Sequence, residues 1–128
     1  MEDPDGALGR ALPLDRERHL WLAGQVLAWS AASTPSLEVV DLAGLELTGH
    51  ALVIREELEA RISQLPASSE LGELLGYSLA EAGRRLSVTS SALGVLAYAQ
   101  GRARLVKGLY GSLDRLEQRP GTFLPAHT

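Results

Sequence analysis

Apolar residues recur at helical spacing in four segments of this sequence, and short breaks rich in serine and proline separate the segments. The segments cover about residues 15–32, 35–64, 69–87 and 92–118, whereas the alternation typical of strands is almost absent. Short breaks between amphipathic helices place sequence neighbours antiparallel. The pattern therefore predicts an all-α protein, folded as an antiparallel four-helix bundle.

Residues that favour helix ends mark most of the predicted boundaries. The predicted N-terminal caps are Asp15, Thr34 followed by Pro35, Ser68 or Ser69, and Ser90 or Ser91. In the second helix, an apolar line that includes Leu47, Ile54 and Leu58 is the expected core face. Gly44 and Gly49 leave open whether this helix is broken in its first half.

The chain has 128 residues, which suits one domain. We predict a helical bundle domain over residues 14–119, a flexible acidic arm over residues 1–13 and a loose tail over residues 120–128. The N-terminal stretch lacks the basic and apolar regions of a signal peptide. No apolar run approaches the roughly 18 residues that a membrane span needs. We therefore expect a cytoplasmic protein that does not enter a membrane.

Cysteine is absent, which excludes disulfides, thiolate metal sites and cysteine nucleophiles. The three histidines are far apart and lack a ligand partner at i+3 or i+4, so we expect neither a metal site nor a cofactor. His50 shares a flank of the second helix with Glu46 and Glu57, and a His–Glu pair there could perform acid–base chemistry. A boundary histidine that hydrogen-bonds a neighbouring helix is the other interpretation.

Charge is divided unevenly between the second and fourth helices. Residues 36–65 carry six acidic and two basic side chains, whereas residues 92–119 carry five basic and two acidic side chains. Complementary helices packed inside one bundle account for this division. Nucleic-acid binding by Arg102, Arg104 and Lys107 is the alternative, but the chain has a net charge of −4 and lacks a helix-turn-helix signature.

Arg102 lies near the predicted core face of the fourth helix. A buried guanidinium needs a carboxylate partner, for which Glu81 or an acid of the second helix is a candidate. Otherwise its stem covers the core and its head reaches water. Glu81 and Arg85 are spaced for an i,i+4 ion pair. The candidate polar site therefore comprises His50, Glu57, Glu81, Arg85 and Arg102.

Three glycines, Gly94, Gly101 and Gly108, fall seven residues apart in the predicted fourth helix, on the side away from its core face. Small side chains let another backbone approach closely, which suggests packing against a second copy or another partner. The candidate interface comprises Gly94, Ala97, Gly101, Arg104 and Gly108. The alternative is a codon bias toward glycine and alanine, since the chain has one lysine against eleven arginines.

Three stretches, residues 47–66, 81–88 and 96–117, resemble a small helical domain family of Streptomyces and related actinobacteria, described as natural product biosynthesis proteins of unknown function. The family signature would fall on Gly49, His50, Glu81, Arg84 and Arg85. Tyr110 is retained near the end, but the Cys or His that members often carry there is missing. The resemblance implies a role near secondary metabolism and supplies no reaction or substrate.

Three functions remain open from the sequence. The favoured one is a non-catalytic helical accessory protein that acts through protein–protein contacts, with a homodimer as one form. The second is a protein that binds or modifies a small apolar metabolite inside the bundle, near His50, Tyr77 and Trp29. The third and least favoured is a DNA-associated regulator that uses the basic fourth helix.

Overall fold

The computed structural model describes residues 14–118, and this range contains four helices and no strand. The helices are α1 (Arg16–Ala28), α2 (Leu37–Ile62), α3 (Glu70–Leu86) and α4 (Val95–Glu117). The predicted all-α helical bundle is confirmed. The predicted arm and tail, and the last residue of the predicted domain, lie outside the described residues.

The break between α1 and α2 is wider than predicted. α1 ends at Ala28, not near residue 32, because Trp29 adopts an extended backbone with a ψ of 143°. Thr34 does not cap α2, because its hydroxyl donates to the carbonyl oxygen of Ser30 in the preceding turn. Ser36 caps α2 instead and accepts from a first-turn amide at 3.3 Å. α2 therefore begins two residues later than predicted.

Two of the predicted caps are confirmed. The carboxylate of Asp15 accepts from the amide of Arg18 at 3.3 Å, at the start of α1. The hydroxyl of Ser69 accepts from the amide of Gly72 at 3.0 Å, at the start of α3. In both cases a short polar side chain satisfies an amide that the first turn of the helix leaves without a partner.

The start of α4 differs from the prediction. The helix begins at Val95 rather than near residue 92, and the predicted serine caps are wrong. The Ser91 hydroxyl accepts from the Leu93 amide at 3.1 Å and so stabilises the preceding loop. Gly94 is the N-cap, with a φ of 108° that favours glycine and no side-chain cap. Gly94 therefore precedes the helix and is not part of it.

α2 is continuous over 26 residues, about 39 Å at the usual helical rise, so neither of its glycines breaks it. Gly44 is buried against α4, where an added Cβ would lie 3.2 Å from the ring of Tyr98. The missing side chain therefore lets the two helices approach closely. The predicted core face of α2 is confirmed, since Leu47, Ile54 and Leu58 are fully buried.

α2 and α4 form the most extensive helix–helix contact, and they run in the same direction. In the first half of both helices, Arg102 donates to Thr48 at 2.9 Å. Near the end of both helices, Arg61 donates to Glu117 at 3.4 Å. The first halves of α2 and α4 are therefore in contact with each other, and so are their ends. This parallel pair is the centre of the bundle. The expectation of antiparallel packing concerned helices that are neighbours in the sequence, and α2 and α4 are not neighbours.

α1 and α3 each pack against both members of the central pair. At the start of α1, Arg16 donates to Asp114 at 2.6 Å. At the end of α1, the carbonyl oxygen of Val26 accepts from Gln100 at 3.1 Å. α1 and α4 therefore run in opposite directions. α3 likewise ends beside the first half of α4.

The core is aliphatic and comes mainly from the central pair, with smaller contributions from α1 and α3. Burial of these side chains supplies the main driving force for folding, at roughly 25 cal/mol per Å² of apolar surface removed from water. The largest fully buried side chains are Val26, Val40, Leu47, Ile54, Leu58, Leu75, Val106, Leu113 and Leu116.

Candidate functional site

Arg102 joins three helices through its guanidinium and is only 5% exposed. It donates to the Thr48 hydroxyl at 2.9 Å, to the carbonyl oxygen of Arg85 at 2.8 Å and to that of Val88 at 2.6 Å. The two carbonyl groups lie at the end of α3, where the helix dipole favours a cation. Both sequence interpretations of Arg102 are wrong: the side chain neither pairs with a carboxylate nor extends to water.

Glu81 instead binds the two arginines that follow it on α3. It accepts from Arg84 at 2.6 Å and from Arg85 at 3.1 Å. The expected i,i+4 pair of Glu81 and Arg85 is therefore present. The hydrogen bonds from Arg84 and then Arg85 hold the pKa of Glu81 below its usual value. All three side chains are exposed, and exposed pairs of this kind contribute little to stability.

A second polar cluster lies where α1, α2 and α4 meet. His19 is 7% exposed, and its Nδ1 lies 2.6 Å from the hydroxyl oxygen of the buried Tyr110. The imidazole of His50 stacks on that of His19, with ring centroids 3.9 Å apart. The guanidinium of Arg16 covers the Tyr110 ring at 4.7 Å. Of the two acids expected on the flank of His50, Glu46 has its carboxylate 3.7 Å from Nε2 of His50, whereas Glu57 accepts from Arg61 at 2.7 Å.

Burial sets the protonation of this cluster. It lowers the pKa of both imidazoles, and the neighbouring His50 lowers that of His19 further. Glu46, whose carboxylate lies 3.7 Å from Nε2 of His50, opposes the shift of His50 without reversing it. Burial also raises the pKa of Tyr110 to about 12. The cluster therefore holds two neutral imidazoles and a protonated phenol at neutral pH.

A groove runs along the seam between α3 and α4. It consists of two hollows of about 350 and 430 Å³, and Arg85 borders both. Gly101 and Gly108 line the seam, and an added Cβ at either position would meet nothing within 4 Å. The two glycines therefore contribute no side chain that would fill the groove. Tyr77, which is 68% exposed, stands at its edge.

This groove gathers seven of the predicted site residues and leaves three elsewhere. From the polar set it takes Glu81, Arg85 and Arg102, and from the interface set it takes Ala97, Gly101, Arg104 and Gly108. His50 and Glu57 lie on α2 in separate contacts. Gly94 caps α4 and departs from the predicted helical line. The sequence therefore indicated residues of the polar set and of the interface set separately, without showing that the two sets line one groove.

The three residues expected near a metabolite site do not come together. His50 stacks on His19, Tyr77 lines the groove between α3 and α4, and the carbonyl of Trp29 accepts from Gln100 at the end of α1. His50 therefore lies beside the first half of α1 and Trp29 at its end, whereas Tyr77 lies on α3, so the three residues do not form one group. Of these three residues, only Tyr77 borders the groove between α3 and α4.

Sequence reasoning missed an apolar row on the outer side of α2, here called the leucine row. It comprises Leu42, Leu45 and Leu52, which are 64%, 60% and 53% exposed. Gly49 lies between Leu45 and Leu52 on the same side of the helix, so the four residues are three, four and three positions apart. An added Cβ at Gly49 would meet nothing within 4 Å. Val53 beside the row is also 45% exposed. The spacing that identifies the row was readable in the sequence.

The outer sides of α2 and α4 carry opposite charges that are not neutralised inside the bundle. On the outer side of α2 the exposed acids are Glu38, Asp41, Glu56 and Glu59, and on the outer side of α4 the exposed cations are Arg104, Lys107 and Arg115. None of these seven side chains forms an ion pair within residues 14–118. α2 and α4 pack together in one bundle as expected, but within the described part of the chain these outer charges do not pair with each other.

Comparison with protein-family models, curated proteins and solved structures gives no match for this chain. The resemblance to the actinobacterial family therefore rests on the three sequence stretches alone. Across the described residues, no helix is both long and apolar enough to cross a membrane. The same part of the chain contains no group of three or more His, Asp or Glu side chains that could hold a metal ion.

Proposed function

We propose that this chain is a non-catalytic helical accessory protein that acts through protein–protein contacts. The resemblance to the actinobacterial family extends the proposal to a role near secondary metabolism. The single observation that carries it is the leucine row of α2, an apolar surface that nothing in the described part of the chain covers.

The leucine row differs from ordinary surface leucines. Single exposed apolar side chains are common and need no explanation. Here three large side chains more than half exposed follow one side of a helix over about three turns. A rim of four acidic side chains accompanies them. An apolar strip with a charged rim is typical of a surface that another protein covers.

The groove between α3 and α4 supports a second candidate, a small-molecule binder. The groove combines the exposed aromatic side chain of Tyr77, a surface without side chains at Gly101 and Gly108, and the cation of Arg104, which forms no ion pair in the described range. These would suit a ligand with an apolar body and an acidic group. A thermal-shift screen with planar aromatic acids tests this candidate, and Tyr77→Ala should abolish any stabilisation that the screen finds.

The proposed protein contact is tested by replacing Leu45 with glutamate. Leu74→Glu is the matched control, because Leu74 is 49% exposed on α3, outside the leucine row. We expect the wild type to exceed the monomer mass of 13.7 kDa in light scattering at high concentration. Leu45→Glu should return it to monomer mass while Leu74→Glu does not. Equal behaviour of the two variants would contradict the role of the row.

A further inference from the structure

We propose that the leucine row of α2 binds the outer side of α4 from a second copy of this chain, so that copies associate head to tail. The outer side of α4 is defined by Ala97, Gly101, Arg104, Lys107, Gly108 and Arg115. The inference rests on the proposed function, since it names the partner of the same apolar row.

Charge complementarity argues for this partner. Four acids that form no ion pair within residues 14–118 accompany the leucine row, and three cations without an ion pair in that range lie on the outer side of α4. Within one molecule these two sets cannot meet. α2 and α4 bury their facing sides against each other, so their outer sides point in opposite directions. Contact between two copies brings the sets together and pairs the charges.

Shape argues for the same partner. The leucine row presents bulky side chains, whereas the outer side of α4 has no side chain at Gly101 or Gly108. An added Cβ at these positions, or at Gly111, would meet nothing within 4 Å. Large side chains of one helix pack well over small residues of another, because the two backbones can then approach closely. The helices have 26 and 23 residues, so their lengths also match.

A symmetric contact between two α2 helices is the competing arrangement. It would cover both leucine rows, but it would bring two sets of unpaired carboxylates around one interface. Like charges facing each other oppose association. A symmetric contact between two α4 helices would gather cations in the same way. The head-to-tail arrangement is the one that joins unlike charges.

Head-to-tail contact has a consequence that a symmetric dimer lacks. Each copy in a pair still offers one free leucine row and one free α4 surface. Such contacts continue into a ring or an open chain unless one surface is blocked. The mass of the wild type should therefore rise with protein concentration past the dimer, and it should fall with added salt.

Two blocked variants and their mixture test the inference. Leu45→Glu blocks the leucine row and leaves α4 intact. The double variant Arg104→Glu and Lys107→Glu blocks the outer side of α4 and leaves the leucine row intact. All three positions are exposed, and neither cation has an ion pair in the described range, so circular dichroism should show folded proteins.

We expect each blocked variant alone to have the monomer mass of 13.7 kDa. An equimolar mixture retains one intact pair of surfaces and should form a complex of twice that mass that grows no further. If the α4 variant still self-associates while Leu45→Glu does not, the leucine row is an interface but its partner is not α4. If neither variant changes the association, or the wild type is monomeric throughout, both proposals are overturned.

Discussion

Replacing Arg102 with methionine tests the role that the structure gives to this guanidinium. The substitution keeps an unbranched apolar stem in the core and removes three hydrogen bonds of 2.9 Å or shorter. The carbonyl groups at the end of α3 and one lone pair of Thr48 then lose their donors. Thr48 itself still donates to Gly44 at 2.8 Å, so only its acceptor capacity is affected.

The magnitude follows from these three bonds. A hydrogen bond to a charged group contributes about 1.5–3 kcal/mol, so full loss of three would cost roughly 6 kcal/mol. Arg85 and Val88 are exposed residues at a helix end, where water can reach part of the freed carbonyl groups. We therefore expect the free energy of unfolding to fall by about 3 kcal/mol.

Urea unfolding followed by circular dichroism measures this change. Arg102→Lys keeps the charge but replaces the planar fork with one ammonium group, so it should recover only part of the loss. Arg104→Met is the matched control on the same helix, because Arg104 is exposed and makes no ion pair in the described range. It should change the free energy of unfolding by less than about 0.5 kcal/mol.

Two results would refute the reasoning. A loss below about 1 kcal/mol in Arg102→Met would mean that water satisfies the end of α3 as well as the guanidinium does. A lysine variant as stable as the wild type would mean that charge alone, and not the fork of donors, holds α3. Amide exchange should locate the effect, with faster opening of the last turn of α3.

Further predictions concern the buried cluster and the glycines of α4. Burial lowers the pKa of His19 and His50 below 6.5, so the unfolded chain takes up protons at a higher pH than the folded chain. The free energy of unfolding should therefore fall as the pH drops below 6.5. His50→Gln should reduce this pH dependence in urea titrations at several pH values. Tyr110→Phe removes the 2.6 Å contact with His19 and should cost about 1–2 kcal/mol in the same assay, whereas an unchanged midpoint would contradict that bond. Gly108→Ala adds a methyl group in open space and should stabilise the monomer by roughly 1 kcal/mol, measured where association is blocked; destabilisation would show that the site is covered.

The sequence predicted the features that depend on neighbouring residues. Four helices, the caps at Asp15 and Ser69 and the core face of α2 all follow from spacing over one or two turns. The start of α4 did not follow, because Ser91 satisfies a loop amide and the backbone reaches the helix through Gly94. Local propensity cannot choose between two turns that both use a serine hydroxyl.

Contacts between distant segments were beyond sequence reasoning. The partners of Arg102 on α3 are backbone carbonyl groups, which every residue carries and which leave no signature in a sequence. The pairing of His19 with Tyr110 spans 91 residues and depends on how α1 packs on α4. The leucine row was readable, but α2 is apolar on two sides, so periodicity alone did not show which side the bundle covers.

The parallel arrangement of α2 and α4 has a consequence for how the chain folds. Thr48 and Arg102 are 54 residues apart in sequence, and Arg61 and Glu117 are 56 apart, so the main core contact is non-local. A bundle built from helical hairpins gains apolar burial as soon as neighbouring helices meet. Here the chain between α2 and α4, including all of α3, must be closed into a loop before that burial begins. We therefore expect slower folding than in hairpin bundles of the same length.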